Sequence, residues 1–375
     1  MGMKWAFWIA AGLIAYTYVG YAGWLRLRAL WSSRPVRRGA CQPSVSIVMV
    51  VRNEAEILPD KLSNLMELDY PADRCEIIVV SDGSTDATEA ILSAHRLNPR
   101  LKVKIDPMAR GKAAGLNDAV ELAQGELIVF TDARQKIEAR AVRLLAENFA
   151  DPEVGCASGE LMLGDAGGGE ESMGPGLYWK IEKRIRELES ASGSVVGATG
   201  ALYAIRRGLL VPVPPGTILD DVYVPMHVVR EGARVVFDER ARVWDRPHQG
   251  TRREFGRKVR TLTGNYQLVQ LAPWLVTFEN PLWLEFVSHK LLRLLVPFAL
   301  VVTLGSTFFL AAPVYRLALA VQLVFYMLGL LAMVPLRKGP LNRVTDAAFT
   351  FVVLNSAAVV AFANFITGRK PVWLR

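Results

Sequence analysis

Two aspartates stand at the ends of predicted buried strands, where a carboxylate can meet a ligand. Asp82 follows the apolar run Ile77–Val80 and lies in Ser81-Asp82-Gly83-Ser84, whose glycine and short polar side chains are typical of a tight turn. Asp132 ends a second apolar run, residues 127–131. In open α/β sheets, ligands bind at the carboxyl ends of the strands. The two patterns together predict one cleft and one ligand, although Asp82 alone would also fit an ordinary turn.

These aspartates lie in a stretch where predicted strands alternate with predicted helices. The strands cover 44–51, 77–80, 101–105 and 126–132, and the helices cover 57–67, 87–96, 113–123 and 139–149. Such alternation predicts an α/β domain with βαβ units, a mostly parallel sheet and right-handed crossovers. Later predicted elements are strands at 154–162 and 234–237, an amphipathic helix at 178–189, a helix ending at 230 and a glycine-rich loop at 164–169.

The chain also contains long apolar segments, and 51% of its 375 residues are hydrophobic. Four uncharged segments reach about twenty residues, the length that crosses the hydrocarbon core of a bilayer: Trp5–Leu25, Leu294–Tyr315, Leu317–Leu336 and Ala347–Gly368. The first is too long for a signal peptide and lacks a small-residue cleavage site, so we interpret it as an uncleaved anchor. We therefore divide the chain into an anchor at 1–30, an α/β domain at 40–265, interfacial amphipathic helices at 266–292 and a C-terminal transmembrane region at 293–375.

Basic residues cluster beside these apolar segments, and the net charge is +8. They follow the first segment, precede the second and fill the loop before the last: Arg26, Arg28, Arg34, Arg37, Arg38, Lys290, Arg293, Arg337, Lys338 and Arg343. The positive-inside rule then places the α/β domain and that loop in the cytoplasm. If each of the four segments crosses the membrane once, the basic tail 369–375 lies outside the cell. Either the positive-inside rule does not hold for this tail, or one C-terminal segment is re-entrant or interfacial.

Cysteine and histidine usage limits the chemistry open to the chain. Cys41, Cys75 and Cys156 are far apart and match no metal-binding spacing, so we interpret them as reduced structural thiols in a cytoplasmic domain. The 4 histidines disfavour imidazole chemistry. The positive charge would suit a nucleic-acid binder, but apolar segments flanked by basic residues do not, and no nucleic-acid partner is expected.

Four short sequences follow one another along the predicted α/β domain. They are Arg52-Asn53-Glu54, Ser81–Asp86, Gly111-Lys112-Ala-Ala-Gly-Leu-Asn117 and Thr131-Asp132-Ala133-Arg134. In order and spacing they resemble the membrane-bound family 2 glycosyltransferases, which have a GT-A type fold, over about residues 44–264. The third resembles the family's Gly-Lys-x-x-Ala-Leu-Asn, with Gly115 for alanine. The fourth falls where the family places Asp-x-Asp, with Arg134 at the second aspartate.

The resemblance implies a nucleotide-diphosphate sugar as the donor. Its binding residues would be Asn53, Glu54, Asp82, Gly83, Lys112, Asp132 and Arg134. Asp82 would accept hydrogen bonds from the base, with uracil as the family default and guanine left open. Lys112 would face the ribose or diphosphate, unless it is a surface lysine at a helix start. Asp132 would bind the diphosphate through Mg²⁺ or Mn²⁺, and Arg134 could itself contact phosphate.

The resemblance also places the catalytic base at Asp220-Asp221, because inverting transfer needs a carboxylate to take the proton of the acceptor hydroxyl. Adjacent carboxylates at a helix start can raise each other's pKa, although the same pair could form a double helix cap. We favour Asp221 as the base, with Asp220 second. Thr199 and Gly200 would line the pocket for the acceptor or the donor sugar.

A basic stretch at 257–264 falls where processive members of the family carry Gln-x-x-Arg-Trp. Arg260 and Gly264 fit that pattern, whereas Arg257 replaces glutamine and Thr261 replaces tryptophan. The tryptophan stacks on the acceptor sugar in those enzymes, so its replacement disfavours polymerisation. Arg257 and Arg260 would line the acceptor or donor-sugar pocket. Arg260 would clamp the diphosphate or, as readily, face anionic lipid.

The sequence and the resemblance together predict an integral membrane, inverting hexosyltransferase with a cytoplasmic catalytic domain in a bacterial plasma membrane. We expect a UDP-sugar donor and a lipid-linked or growing glycan acceptor, with membrane lipids, a second copy or other envelope-glycan assembly proteins as candidate partners. A processive synthase coupled to secretion, a polyprenyl-phosphate glycosyltransferase and a membrane nucleotide-binding protein without transferase activity stay open. The prediction requires the carboxylates of Asp82, Asp132 and Asp221 to face one cavity.

Overall fold

A single sheet of eight strands organises the part of the chain that the structure describes. This computed structural model describes residues 1–164, 177–245, 251–333 and 341–369. The strands are Val45–Val51 (β1), Cys75–Asp82 (β2), Leu101–Asp106 (β3), Leu127–Thr131 (β4), Lys136–Ile137 (β5), Val154–Leu163 (β6), Leu202–Arg206 (β7) and Arg234–Asp245 (β8). They stand in the order β3-β2-β1-β4-β7-β6-β8-β5.

The predicted α/β class with a mostly parallel sheet is confirmed. β1 is parallel to β2 and β4, β2 is parallel to β3, and β6 is parallel to β8. β7 is antiparallel to β4 and β6, and β5 is antiparallel to β8. β7 starts where β4 ends, with Leu202 opposite Thr131. The segment that precedes β7 therefore crosses the carboxyl edge of the parallel strands, where ligands bind in such sheets.

Helices connect and flank the strands. Their bounds are Gly2–Trp31 (α1), Leu58–Met66 (α2), Thr88–Ala94 (α3), Lys112–Leu122 (α4), Ala141–Glu147 (α5), Leu177–Ser192 (α6), Asp220–Arg230 (α7), Thr251–Leu271 (α8), Trp283–Thr307 (α9), Pro313–Leu331 (α10) and Leu341–Ile366 (α11).

Both faces of the sheet are buried, which explains the unbroken apolar runs of its central strands. In β1, Ile47 and Met49 belong to a core that includes Leu62 of α2. Val48 belongs to a second core that includes Leu116 of α4. Alternate side chains of a strand point to opposite faces, so a strand covered on both sides needs apolar residues at successive positions.

Several predicted boundaries differ from the structure. β8 continues to Asp245 rather than ending at Phe237, because its pairing with β6 resumes after a bulge. α8 continues to Leu271, across the predicted domain boundary at 265–266. α9 begins at Trp283, so the part of the predicted interfacial stretch from 283 to 292 belongs to a long apolar helix. Glu285 and His289 in that part pair with Arg28 of α1 and with two carboxylates of α6, which lets the helix continue through them.

Buried polar contacts join α1, α6 and α9. The Tyr21 hydroxyl donates a hydrogen bond to Glu189 Oε1 at 2.6 Å. His289 of α9 lies between two carboxylates of α6, with its Nδ1 2.8 Å from Glu189 and its Nε2 3.0 Å from Glu182. Buried polar groups need such partners, so these contacts fix the N-terminal helix and the α/β domain to the start of α9.

Within the described ranges, four helices are long and apolar enough to cross a bilayer: Gly2–Trp31, Trp283–Thr307, Pro313–Leu331 and Val344–Ile366. One lies near the N-terminus and three follow the α/β domain, as the apolar segments predicted. Large apolar side chains such as Ile9, Val19, Val321 and Met327 stay exposed on them. Such a surface is suited to lipid, and these helices indicate a membrane protein.

Some predicted features lie outside the described residues. They are most of the glycine-rich loop 164–169, the loop residues Arg337 and Lys338, and the tail 370–375. The orientation of the chain in the membrane therefore stays a prediction.

Candidate active site

A cavity of about 750 Å³ lies where the carboxyl edge of the sheet meets α6, α8 and the start of α9. The predicted site residues that line it are Lys112, Asp132, Thr199, Gly200, Asp220, Asp221, Arg257 and Arg260. The other predicted site residues, all within the described ranges, are outside its lining: Asn53, Glu54, Asp82, Gly83 and Arg134. The cavity thus brings the predicted catalytic aspartates together with Lys112 and Asp132, whereas Arg134 and the residues predicted to bind the nucleobase lie outside its lining.

Lys112 links two of the predicted carboxylates. It is the first residue of α4 and follows Gly111, whose φ of +95° favours glycine. The Nζ of Lys112 lies 3.0 Å from Asp132 Oδ1 and 3.4 Å from Asp220 Oδ2. Burial disfavours the ammonium, but the charges of Asp132, Asp220 and Asp221 outweigh burial and raise the pKa of Lys112. Lys112 is therefore a permanent cation in the cavity wall rather than a solvated surface lysine.

Asp221 has the environment of a general base. Its Oδ2 accepts a hydrogen bond from the Gly200 N–H at 3.1 Å. Burial of the carboxylate and the neighbouring charge of Asp220 raise the pKa of Asp221 to about 6, against the lowering effect of Lys112. A Cβ added to Gly200 would lie 2.9 Å from the same oxygen, so any side chain at that position would push the carboxylate away. A carboxylate with this pKa can accept a proton near neutral pH.

The segment 195–201 holds the backbone beside Asp221. The Ala198 N–H donates to the Asp221 carbonyl at 2.7 Å. The Arg186 guanidinium, from α6, donates to the Thr199 hydroxyl. These bonds fix the segment on both sides of Thr199, at the edge of the cavity.

Helix α8 supplies the two predicted arginines. Burial lowers the pKa of Arg260, and the carboxylates of Asp220 and Asp132 oppose that effect. A guanidinium stays charged under such conditions and can bind phosphate in a fork geometry. Thr261 lines the cavity at the position where the processive relatives carry tryptophan.

Asp82 forms a closed turn instead of facing the cavity. Its buried carboxylate accepts hydrogen bonds from the backbone N–H groups of Arg110 at 2.6 Å and Gly111 at 2.9 Å. Gly83 has φ +61°, and a Cβ there would lie 2.4 Å from Ala109 N. The prediction that three carboxylates face one cavity holds for Asp132 and Asp221 and is wrong for Asp82, because free N–H groups ahead of α4 bind its carboxylate.

Asn53 and Glu54 connect the ends of β1 and β2. Asn53 has φ +55°, and its Oδ1 accepts a hydrogen bond from the Thr85 N–H at 2.7 Å. Burial raises the pKa of Glu54, while Arg134 lowers it and Asp132 raises it. The Glu54 carboxyl group thus lies within electrostatic range of the residues predicted to bind diphosphate.

Asp132 and Arg134 occupy the predicted diphosphate and metal positions. Arg134 pairs with Asp245 at the end of β8. The Asp132 side chain is 41% exposed, so its carboxylate is accessible beside Lys112. No three His, Cys, Asp or Glu side chains cluster as a metal site among the described residues. Mg²⁺ is often held by one or two carboxylates plus substrate phosphates, so Asp132 fits a cation that a bound diphosphate helps to hold.

Sequence reasoning missed Lys61, which lies beneath the loop that carries Asp132. Its Nζ donates to Thr131 Oγ1 at 3.1 Å and to the Gln135 carbonyl at 2.7 Å. Burial lowers the pKa of Lys61 to about 7. The sequence did contain a signal, since Lys61 falls on the apolar face of α2, where a lysine needs a buried partner.

Further missed residues line the membrane end of the cavity. They come from α6, α8 and α9 and are Trp179, Arg186, Lys258, Lys290 and Arg293. Leu354 of α11 lines the same cavity, which therefore reaches the apolar C-terminal helices. In the sequence, Lys290 and Arg293 were interpreted as basic residues that flank a membrane segment, and their place in the cavity was not predicted.

Comparisons with known proteins agree with this architecture. Residues 46–211 match the family model described as "Glycosyl transferase family 2". Poly-beta-1,6-N-acetyl-D-glucosamine synthase from Staphylococcus epidermidis is 25% identical over 242 residues, 64% of this chain and 57% of that protein. Beta-monoglucosyldiacylglycerol synthase from Synechocystis sp. is 27% identical over 186 residues, 48% of this chain and 39% of that protein. The chain thus matches only about half of the length of these curated relatives.

A solved structure with the same fold is that of mannosyltransferase PcManGT from Pyrobaculum calidifontis in complex with GDP-Man and Mn²⁺. It superimposes with a TM-score of 0.74 at 20% identity and covers 97% of this chain and 99% of that chain. The likeness shows a GT-A type sheet combined with apolar helices at the N-terminus and in the C-terminal region.

Proposed function

We propose that this chain, whose residues 46–211 match the family model described as "Glycosyl transferase family 2", transfers a hexose, with inversion, from a nucleotide-diphosphate sugar to an acceptor at the membrane. The observation that carries the proposal is the environment of Asp221. Its carboxylate has a pKa raised to about 6 and lines one cavity with Lys112 and Asp132. A base and a site for a diphosphate leaving group are the two requirements of such a transfer.

Lys112 and Arg260 bind the donor diphosphate in this proposal. Lys112 acts as a point charge, and Arg260 offers a planar fork of N–H donors. Asp132 and the donor phosphates would hold a Mg²⁺ or Mn²⁺ ion, which would supply positive charge for the leaving diphosphate. The complex of PcManGT with GDP-Man and Mn²⁺ supports a metal of this kind.

A UDP-sugar is the donor that we propose first, with a GDP-sugar as the alternative. The carboxylate of Asp82 is engaged by the N–H groups of Arg110 and Gly111. A carboxylate has about four lone-pair sites, so it can still accept a hydrogen bond from a base. In this structure the Asp82 carboxylate mainly stabilises the turn that leads to Lys112. The GDP-Man bound to PcManGT keeps guanine open.

Asp221 takes the proton during the transfer. The acceptor hydroxyl oxygen attacks the anomeric carbon while its proton passes to an Asp221 carboxylate oxygen. The bond from the anomeric carbon to the phosphate oxygen breaks, and its electron pair leaves with the nucleoside diphosphate. With a pKa of about 6, most Asp221 is ionised at neutral pH. Asp220 positions Lys112 and helps to keep that pKa high.

We propose a lipid-linked or growing envelope glycan as the acceptor, with the catalytic domain in the cytoplasm of a bacterium. The cavity reaches Leu354 in an apolar helix, which supports an acceptor that stays in the membrane. Basic residues beside the apolar segments support the cytoplasmic side. Membrane lipids surround the helices, and a second copy or other glycan-assembly proteins are further partners.

A processive synthase coupled to secretion is a second candidate, favoured by the relative named poly-beta-1,6-N-acetyl-D-glucosamine synthase. Thr261 in place of tryptophan disfavours it. A polyprenyl-phosphate glycosyltransferase is a third candidate, favoured by the cations at the membrane end of the cavity. A nucleotide-binding membrane protein without transferase activity is the non-enzymatic alternative.

The test uses the purified full chain in nanodiscs with bacterial lipid extract and a panel of UDP- and GDP-sugars. Release of nucleoside diphosphate and mass spectrometry of the products identify donor, acceptor and product length. We expect turnover that needs Mg²⁺ or Mn²⁺ and falls by about 10²–10⁴-fold in Asp221→Asn. Asp60→Asn, at an exposed position of α2, is the matched control and should keep the wild-type rate. Nucleotide binding without turnover would contradict the proposal, and full activity of Asp221→Asn would contradict the assignment of the base.

A further inference from the structure

His289 of α9 is a buried histidine outside the lining of the catalytic cavity, and its side chain is only 1% exposed. Its Nδ1 lies 2.8 Å from Glu189 Oε1, and its Nε2 lies 3.0 Å from Glu182 Oε1. An ionised carboxylate only accepts hydrogen bonds, so both ring nitrogens have to donate. A neutral imidazole has one N–H group and an imidazolium has two. The contacts therefore require a proton on both nitrogens or on one of the carboxyl groups.

The other contacts of Glu189 leave no place for that proton. Its Oε1 also accepts a hydrogen bond from the Tyr21 hydroxyl at 2.6 Å, and its Oε2 accepts one from the Val196 N–H at 3.3 Å. Burial would raise the pKa of Glu189, but the charge and the hydrogen bond of His289 outweigh burial and lower it. Glu189 is therefore ionised.

Glu182 is ionised for the same reason. Its Oε2 accepts a hydrogen bond from Arg293 at 3.2 Å, and its Oε1 lies 3.6 Å from the Nε of Arg186. Burial would raise the pKa of Glu182, but the charges of His289 and Arg293 outweigh burial and lower it well below its usual value. Because all four carboxylate oxygens face donors, the ring of His289 carries the proton.

Other charged and titratable groups surround this cluster on four helices. They are Tyr21 and Arg28 of α1, Glu182, Arg186 and Glu189 of α6, Lys258 of α8, and Glu285, Lys290 and Arg293 of α9. Among the residues that the structure describes, the two α6 carboxylates alone lie within hydrogen-bonding distance of the imidazole nitrogens. The charge of the ring therefore depends on this pair.

Both membrane helices depart from α-helical geometry beside the cluster. In α9 the Leu292 N–H donates to the Val287 carbonyl, five residues earlier. In α1 the Tyr21 N–H donates to the Tyr16 carbonyl in the same way. The two wide turns meet where the Tyr16 hydroxyl lies 2.9 Å from Ser288 Oγ. Such π-helical turns are rare and occur mostly at functional sites, and here they coincide with the buried polar contacts.

The two carboxylates that hold the imidazole also support the segment 195–201, which lies beside Asp221. The contacts are the hydrogen bond from the Val196 N–H to Glu189, the ion pair between Glu182 and Arg186, and the hydrogen bond from Arg186 to the Thr199 hydroxyl. Gly200 of the same segment donates its N–H to the Asp221 carboxylate at 3.1 Å. The imidazole is thus connected to the base through two carboxylates and one backbone segment.

We propose that His289 is a positioning residue of sugar transfer: as an imidazolium between Glu182 and Glu189, it fixes the segment 195–201 and with it the carboxylate of Asp221. This inference rests on the proposed function and adds a residue that does not touch the donor or the acceptor. Because the histidine belongs to α9, it also ties the geometry of the base to a membrane helix.

The first test is the protonation state of His289, read by nitrogen NMR of the full chain in nanodiscs with isotope-labelled histidine. The spectrum is recorded at about pH 8, well above the pKa of a solvated histidine, about 6.5. We expect two protonated ring nitrogens for His289, whose signal among the 4 histidines is identified by its loss in His289→Gln. Glu189→Gln supplies an amide donor, so its His289 should be neutral. A neutral ring in the wild type would overturn the inference.

The second test is the pH profile of His289→Gln, which removes the charge of the ring. We expect kcat to fall by about tenfold or more, because a displaced base loses its geometry. The midpoint of the acid limb should move to higher pH, because loss of the Gly200 N–H bond removes a contact that favours the ionised Asp221. The KM for the donor and the affinity for UDP and GDP should change by less than about twofold, since the segment 195–201 does not hold the diphosphate residues.

His289→Lys is the rescue variant, because an ammonium keeps the charge and can donate to both carboxylates. It should retain more of the wild-type rate and midpoint than His289→Gln. His95→Gln, at an exposed position after α3, is the matched control and should behave as the wild type. If His289→Gln lowers the melting temperature, Arg186→Gln repeats the test one step closer to the base.

Unchanged kcat and an unchanged midpoint in folded His289→Gln or Arg186→Gln would overturn the inference and leave the proposed function standing. So would a loss of stability with no shift of the midpoint, which is the result of a purely structural role. A wild type that turns over no nucleotide sugar would contradict the proposed function, and the positioning role with it, whatever the NMR spectrum shows.

Discussion

The pH profile of sugar transfer should report the titration of Asp221. Burial and the charge of Asp220 raise the pKa of this carboxylate to about 6. The ionised form accepts the proton, so kcat/KM should rise with pH and level off above the pKa. One pH unit below the pKa, about a tenth of the base is ionised, which predicts about a tenfold loss at pH 5.

Asp220→Asn provides the sharper part of this prediction, because it removes a charge that raises the pKa of Asp221 and leaves the burial of Asp221 in place. The acid limb of the variant should move to lower pH, so the variant keeps a larger fraction of its plateau rate at pH 5 than the wild type. We expect the plateau rate of the variant to fall as well, since Asp220 also contacts Lys112 at 3.4 Å. The pH at the midpoint of the acid limb does not depend on the plateau rate, so the midpoints of the two proteins can be compared.

The assay is the initial rate of nucleoside diphosphate release at limiting donor, in buffers of constant ionic strength. The pH runs from about 4.5 to about 9, so that it brackets the predicted midpoint. Asp60→Asn is the control for a carboxylate lost elsewhere on the surface. A wild-type midpoint near the ordinary value for aspartate would refute the reasoning. So would a midpoint that Asp220→Asn moves to higher pH or leaves in place.

Three further predictions concern the stability of the fold and the residues that position Asp221 and Asp132. Asp221→Asn should raise the free energy of unfolding above pH 6 by on the order of 2–3 kcal/mol at most, because the folded state then no longer holds an ionised carboxylate whose pKa lies above its unfolded value. The gain, followed by thermal unfolding over a pH series, should vanish by about pH 4, and an equal gain at all pH values would contradict this cause. Gly200→Ala should abolish most turnover, since its Cβ would lie 2.9 Å from the Asp221 carboxylate, while Gly208→Ala, with nothing within 4 Å of its Cβ, should have the wild-type rate; equal rates would show that the Gly200 contact does not matter. Lys61→Met should raise the KM for the donor more than it lowers kcat, because the loop that carries Asp132 loses the two hydrogen bonds that the Lys61 ammonium donates. Steady-state kinetics measure both constants, and a lower kcat at unchanged KM would argue against a positioning role for Lys61.

The positions of Asp132 and Lys112 were predictable because they depend on local order. Asp132 follows an apolar strand, and Lys112 follows a glycine at a helix start. β3, which precedes Lys112, is separated from β4 by β2 and β1, and α4 packs across β1 and β2, so its first residue reaches Asp132 at the carboxyl edge of the sheet. Asp221 could be placed by resemblance, but its bond to Gly200 depends on how the segment 195–201 crosses that edge.

Asp82 shows what sequence reasoning could not reach. Its strand-end position was correct, but the partners of its carboxylate are the backbone N–H groups of Arg110 and Gly111, 28 and 29 residues away in sequence. Residue types do not reveal which way a loop presents its N–H groups. The carboxylate therefore stabilises a turn in this structure rather than facing the cavity.

The start of α9 was missed for a different reason. Glu285, His289 and Lys290 interrupt the apolar pattern, so the stretch was predicted to lie at the interface. In the structure Glu285 pairs with Arg28 of α1, and His289 lies between two carboxylates of α6. Partners from distant parts of the chain neutralise polar groups that hydropathy alone counts against a helix in the membrane.

The most direct test of the central claim is a structure of the full chain with a nucleotide sugar and its cation bound. We predict that the diphosphate lies beside Lys112 and Asp132 and that the anomeric carbon faces Asp221, with room for an acceptor hydroxyl within about 3 Å of the carboxylate. A donor bound outside this cavity, or one whose anomeric carbon faces away from Asp221, would contradict it.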